Sequence, residues 1–94
     1  FDTHWLVNAN YHVNCAAGFE GVYTSNELPH FISDMPYGFP GNPRLGRLIA
    51  EACNAHGVET LAHERASLPP EYGTLVPMRY MNQDRRFRVV SVSA

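Results

Sequence analysis

Histidine 4 lies in the run Phe1-Asp2-Thr3-His4-Trp5. An apolar residue, two small polar ones, a His and a Trp read as the C-terminal end of a buried strand opening into a site. Strand ends are where open α/β sheets place their chemistry, and a neutral imidazole there can ligate a metal. A mononuclear centre needs at least three protein ligands, so His4 is one part of a site. The other histidines, His12, His30, His56 and His63, complete no HxH, HxxxH or HExxH spacing. His56 falls in the last turn of a predicted helix, where a cation suits the dipole. His63 follows a short strand, has no partner by sequence and reads as a surface residue. His30 reads as a packed or surface residue of a Pro-rich loop. His12, between Tyr11 and Val13, reads equally as a pocket wall or as packing, because loops after strand ends line sites.

A second chemical signal is Tyr72-Gly73-Thr74-Leu75-Val76-Pro77-Met78. A proline inside a helix costs about 3 kcal/mol. That cost vanishes if Thr74 is the N-cap, because Pro77 is then third in the helix and has no N–H partner to lose. The helix so defined runs to about Asn82. Free backbone N–H groups at Tyr72, Gly73 and Thr74 would favour an anionic ligand. Other chemistries lack support. The glycines match neither GxGxxG nor GxxxxGK[ST], no GxSxG elbow occurs, and Asp2, Glu27, Asp34 and Glu71 are scattered.

These residues need elements to position them. Short strands are expected around His12–Cys15 and Phe19–Thr24, broken at Gly18. Between residues 25 and 43, four prolines and two glycines predict a long ordered loop with a helical turn near Leu28–Asp34. Phe31, Tyr37 and Phe39 argue against disorder there. Asn42 can cap a helix with Pro43 at its first position. Leu45, Leu48, Ile49, Ala52 and Cys53 recur on one face of that helix, and Gly57 ends it in a left-handed cap. Strands at Val58–Ala62 and Phe87–Ser93 complete an alternating order that predicts an α/β fold with a mostly parallel sheet flanked by helices.

The 94 residues suffice for one small domain with a modest core. The chain starts at a strand end and stops inside a β-rich run, so residues 1–94 are expected to be a single partial domain of a larger catalytic domain. Hydrophobic residues make up 45%, charged residues 17%, and the net charge is −2. That balance leaves no electrostatic footprint for nucleic acid. All seven cations are Arg; Arg85, Arg86 and Arg88 read as a solvated strand edge. No run of about 18 apolar residues offers a membrane span. Cys15 and Cys53 lack metal-type spacing and read as free thiols of a cytoplasmic protein.

The runs Phe1–Trp5, Tyr23–Pro40 and Tyr72–Met78 together resemble class III (LigB-type) extradiol ring-cleavage dioxygenases. The resemblance covers essentially the whole chain in order. Tyr23-Thr24-Ser25-Asn26-Glu27-Leu28-Pro29-His30-Phe31 is similar to the branch acting on homoprotocatechuate, as is the run from Glu71 to Asn82. The resemblance implies a LigB-like dioxygenase fold, a catechol substrate, O₂ and non-haem Fe(II) held by two His and one Glu. It places the second of those His at His4 and the other two ligands outside this chain, together with a catalytic His. It implies that Tyr72 and Thr74 line the substrate pocket, with Trp5 and His12 as further wall, and that the enzyme is a cytoplasmic homo-oligomer. Many family members carry His where this chain has Tyr72. A phenol titrates near 10, so Tyr72 would be a poor base and a better acid or orienter. The alternatives are a non-catalytic partner- or peptide-binding protein on the same fold, or a family dioxygenase for another catechol or an aminophenol. The 94 residues alone are expected to be inactive.

Overall fold

The computed structural model describes every residue except His4, 6–8, 66–67 and 94. Its elements are β1 (Tyr11–Asn14), β2 (Gly18–Tyr23), β3 (Met35–Pro40), α1 (Pro43–Ala55), β4 (Thr60–His63), α2 (Tyr72–Met81) and β5 (Ser91–Val92).

The α/β class stands, and the pairing within it is mixed. A three-stranded sheet has the order β4-β1-β5, with β1 parallel to β4 and antiparallel to β5. Asp2 adds a parallel bridge to Ser93, its N–H donating to the Val92 carbonyl at 2.7 Å. Helix α1 covers one face of this sheet. Val13, Cys15 and Ala50 form the core between them, flanked by Ile49, Val90 and Val92.

Strands β2 and β3 form a separate antiparallel hairpin. The expected long loop therefore contains a strand, despite Pro36, Gly38 and Pro40. Register explains why. The Gly41 N–H donates to the Ala17 carbonyl at 2.9 Å, which fixes the phase of the ladder. Phe39, Tyr37 and Met35 are then the bonding positions, and the two prolines alternate with them. Their missing N–H groups would have pointed away from β2, which an edge strand tolerates. The outward carbonyl of Pro40 instead accepts from Val89 at 2.8 Å. Phe19, Phe39, Leu75, Ala16 and Val89 make a second core between the hairpin and α2.

Helix α1 begins as expected. Asn42 Oδ1 accepts from the Leu45 N–H at 3.1 Å, and Pro43 opens the first turn. Gly57, with φ of 79°, follows its end. Its buried face differs from the expected one: Gly46 and Ala50 are buried, while Leu45, Leu48 and Ala52 are exposed. A Cβ on Gly46 would lie 2.6 Å from Cys15 Sγ, so the helix docks through its smallest residue, and the leucines flank that contact. Asn54 ties the helix end to β4, donating to the Ala50 and Thr60 carbonyls and accepting from the Thr60 N–H.

Helix α2 starts earlier than expected. Glu71 is its N-cap residue, with no side-chain cap bond, and Tyr72 is its first residue. Thr74 is therefore inside the first turn, and Pro77 is sixth, within the helix. Among the described residues no helix is long and apolar enough to cross a membrane.

Candidate active site

The start of α2 meets the loop after β2 through two crossed hydrogen bonds. Tyr23, at the end of β2, donates to Glu71 Oε2 at 2.8 Å. Tyr72 donates to Glu27 Oε2 at 3.1 Å. Each segment thus supplies one phenol and one carboxylate. Ser25, buried below them, accepts from the backbone N–H groups of Glu27 and Leu28 at 3.2 and 3.0 Å. Desolvation and the hydrogen bond and charge of Glu71 push the Tyr23 phenol up to about 12, against the pull of donors from Ser25 and the Tyr72 backbone. Desolvation, the Glu27 hydrogen bond and the charges of Glu27, Asp2 and Glu71 raise Tyr72 above the usual phenol range. Both side chains hold their protons at neutral pH.

Above this pairing lies a cleft of about 240 Å³ lined by Trp5, Tyr23, Ser25, Asn26, Glu27, Glu71 and Tyr72. A cavity of about 150 Å³ accommodates benzene, so the cleft has room for one substituted ring. It brings together Trp5 and Tyr72, which are 67 positions apart in sequence.

Thr74 and His12 flank the cleft and do not line it. Thr74 donates its hydroxyl proton to Asp2 Oδ2 at 2.7 Å. With that proton committed, the 2.8 Å contact to Ser91 Oγ has Ser91 as donor. Asp2 and Ser91 are both buried, so this triplet fastens the N-terminal segment and β5 to α2. The helix start does not present the expected anion cradle: the Thr74 N–H donates to the Glu71 carbonyl at 2.9 Å, and two carboxylates line the cleft.

His12 sits behind Trp5, their rings meeting edge-on with centroids 5.9 Å apart. His63 is no lone surface residue. It is half-buried, stacks on His12 with centroids 4.9 Å apart, and packs against Trp5 at 5.9 Å. His12 Nε2 faces the Ala9 carbonyl at 3.0 Å, which can only accept. In neutral His12 that nitrogen carries the proton, and Nδ1 accepts from His63 Nε2–H at 2.6 Å. Desolvation, then the charges of His12 and Arg65, lower His63 below the usual imidazole range. His56 caps α1, with Nδ1 2.7 Å from the Ala52 carbonyl, and His30 is exposed in the turn after Leu28.

The expected metal ligand, His4, lies outside the described residues. Among the described residues no three His, Cys, Asp or Glu side chains converge on a common point. They do not by themselves build a three-ligand centre.

The family model for the catalytic LigB subunit of aromatic ring-opening dioxygenase matches residues 1–94. The chain belongs to the LigB family. It is 66% identical over all 94 residues to the 3,4-dihydroxyphenylacetate 2,3-dioxygenase of Escherichia coli. The chain spans 34% of that relative's length. Within this LigB chain, Tyr23, Glu27, Glu71 and His63 join the site from outside the candidates chosen by sequence. The resemblance of Tyr23–Phe31 drew attention to that run without marking Tyr23 and Glu27. Nothing in the spacing of His12 and His63 signals that they meet.

Proposed function

We propose that the enzyme containing this chain cleaves the ring of 3,4-dihydroxyphenylacetate beside its two hydroxyls, using O₂ and non-haem Fe(II). The observation that carries this reading is the 66% identity over all 94 residues, a match whose span includes the residues that line the cleft. The 94 residues act as part of a larger catalytic domain, in keeping with the threefold greater length of the relative. His4 supplies one iron ligand, and the others come from outside these residues. The iron contributes the electron-transfer chemistry with O₂ that side chains lack.

In this reading Tyr72 orients the catechol at the mouth of the cleft, and Trp5 forms its wall. His12, stacked on His63, backs the Trp5 ring. Thr74 acts from below by holding Asp2, two residues before His4. The proposed compartment is the cytoplasm, where free thiols such as Cys15 and Cys53 persist. The proposed assembly is a homo-oligomer, in line with the exposed Leu45 and Leu48 on α1.

The test is oxygen uptake by the full-length enzyme with Fe(II), comparing 3,4-dihydroxyphenylacetate with other catechols and an aminophenol. Preference for 3,4-dihydroxyphenylacetate is expected. Preference for another ring reassigns the substrate, and no ring cleavage of any of them leaves the non-catalytic binding reading. His4→Ala should abolish iron retention, measured by metal analysis; an unchanged iron content would remove His4 from the ligand set. The 94-residue chain alone should show no turnover.

A further inference from the structure

A helix laid on one face of a sheet has one side to bury, and its outer side is ordinarily polar. Helix α1 departs from this. It meets the sheet through Gly46 and Ala50, yet Leu45, Leu48, Ala52 and Ala55 are all exposed, the two leucines at 45% and 51%. Steps of three, four and three positions place these four in one stripe, the spacing of a helix-pairing seam. Arg44 and Glu51, two turns apart, stand along one flank of it. Neither forms an ion pair with a described residue, and the undescribed positions contain no Asp, Glu or Arg. Arg47, between them, is taken by Glu64 at 2.7 Å. The order of these charges does not serve the helix itself, because a cation in the first turn opposes the macrodipole and α1 has no acidic residue there and no basic one in its last turn. A second α1 laid antiparallel across the stripe reverses that order. Leu45 of each copy then meets Leu48 of the other, and an acidic side chain comes to lie near the start of each helix.

We propose that the outer side of α1 is an interface between two copies of this chain, packed antiparallel about a two-fold axis between Leu45 and Leu48, with Arg44 of each copy paired to Glu51 of the partner subunit. This rests on the homo-oligomer reading given above and names the surface that makes the contact. The occupant is a second copy because the stripe is its own complement: one operation matches leucine to leucine and cation to anion, and two-fold symmetry makes each contact twice.

The experiment is analytical ultracentrifugation of the full-length enzyme over a dilution series, with circular dichroism to follow folding. Arg44→Glu makes the flank wholly acidic, and Glu51→Arg makes it wholly basic. Each alone should weaken self-association about tenfold, because two attractive contacts become repulsive. An equimolar mixture of the two single variants should associate within about threefold of wild type, as should the variant carrying both changes. Rescue in the mixture arises only between copies. Unchanged association of the single variants, or weakening with no rescue in the mixture, overturns the proposal. A lower melting temperature at unchanged mass also overturns it, because the stripe is then covered by another part of the same chain. If a reversed-charge variant fails to fold, Leu48→Gln decides: association about tenfold weaker supports the interface, and unchanged association overturns it. A monomeric wild-type enzyme overturns the homo-oligomer reading and this proposal together. An assembled wild type without rescue overturns this proposal alone.

Discussion

Replacing Thr74 by Val tests how the two motif-bearing segments are joined. The substitution keeps the β-branched shape and removes only the hydroxyl. That hydroxyl donates to Asp2 at 2.7 Å and accepts from Ser91 at 2.8 Å. Asp2 is 1% exposed and Ser91 4%, so water does not replace the lost partner without opening the structure. A hydrogen bond to a charged acceptor contributes about 1.5–3 kcal/mol, and a neutral one about 1 kcal/mol. The expected loss is about 3 kcal/mol, taking the lower part of the charged range. In equilibrium urea denaturation, with a slope of about 1.5 kcal/mol per molar, the midpoint should fall by about 2 M. Thr74→Ser is the control. It keeps the hydroxyl and loses one methyl, for about 0.8 kcal/mol. A Thr74→Val midpoint within about 0.3 M of wild type would refute the reasoning, because it would mean that the buried carboxylate gains nothing from this donor.

Three further expectations concern stability and reactivity. Gly41→Ala should cost about 4 kcal/mol or more in the same denaturation assay, because its Cβ would overlap the Ala16 carbonyl oxygen. Gly57→Ala, with φ of 79° and open space around it, should cost only about 1 kcal/mol; equal costs would contradict the backbone clash. His63 titrates below its ordinary value when folded, so the unfolded chain binds that proton more readily. Its contribution is complete above about pH 6.5 and is lost as pH falls through the window beneath. Melting temperature should therefore drop more steeply from pH 7 to pH 5 in wild type than in His63→Phe, and parallel curves would argue against the shift. Cys15 is 1% exposed and burial raises its thiol, so iodoacetamide should modify Cys53 in the folded protein and Cys15 only after denaturation. Equal rates at the two thiols would contradict the packing of Cys15 under α1.

The parts legible in the sequence are those decided by neighbours along the chain. Asn42 and Pro43 mark the start of α1 because capping is chemistry between adjacent turns, and Gly57 marks its end for the same reason. Elements decided by distant partners were harder to read. The strand Met35–Pro40 carries the composition of a loop, and only its register against β2 shows that both prolines fall between bonding positions. The buried face of α1 was misplaced because apolar periodicity weighs Leu45 and Leu48, whereas close approach to Cys15 depends on the absence of a side chain at Gly46. Thr74 resembles a helix cap in sequence, but its hydroxyl goes to Asp2, 72 residues away. At the site, Trp5 and Tyr72 do share a cleft. The carboxylates that orient the phenols were invisible because Glu27 and Glu71 lie 44 positions apart. His63 was misread as a surface residue for a similar reason: its partner His12 is 51 residues away.

The crossed pairing of Tyr23 with Glu71 and Tyr72 with Glu27 also has a consequence for the order of assembly. Its two bonds close loops of 48 and 45 residues, whereas the β2–β3 hairpin and the Asn54–Thr60 hook close over short stretches of chain. Long loops carry the larger closure entropy and form after local structure has reduced it. The cleft therefore arises late, once the hairpin, α1 and β4 are in place. By the same reasoning, its opening is a low-energy excursion of the native state. A ligand bridging Trp5 and Tyr72 would slow amide exchange first in residues 24–28 and 71–75, and would leave the α1–β1 core at its own pace.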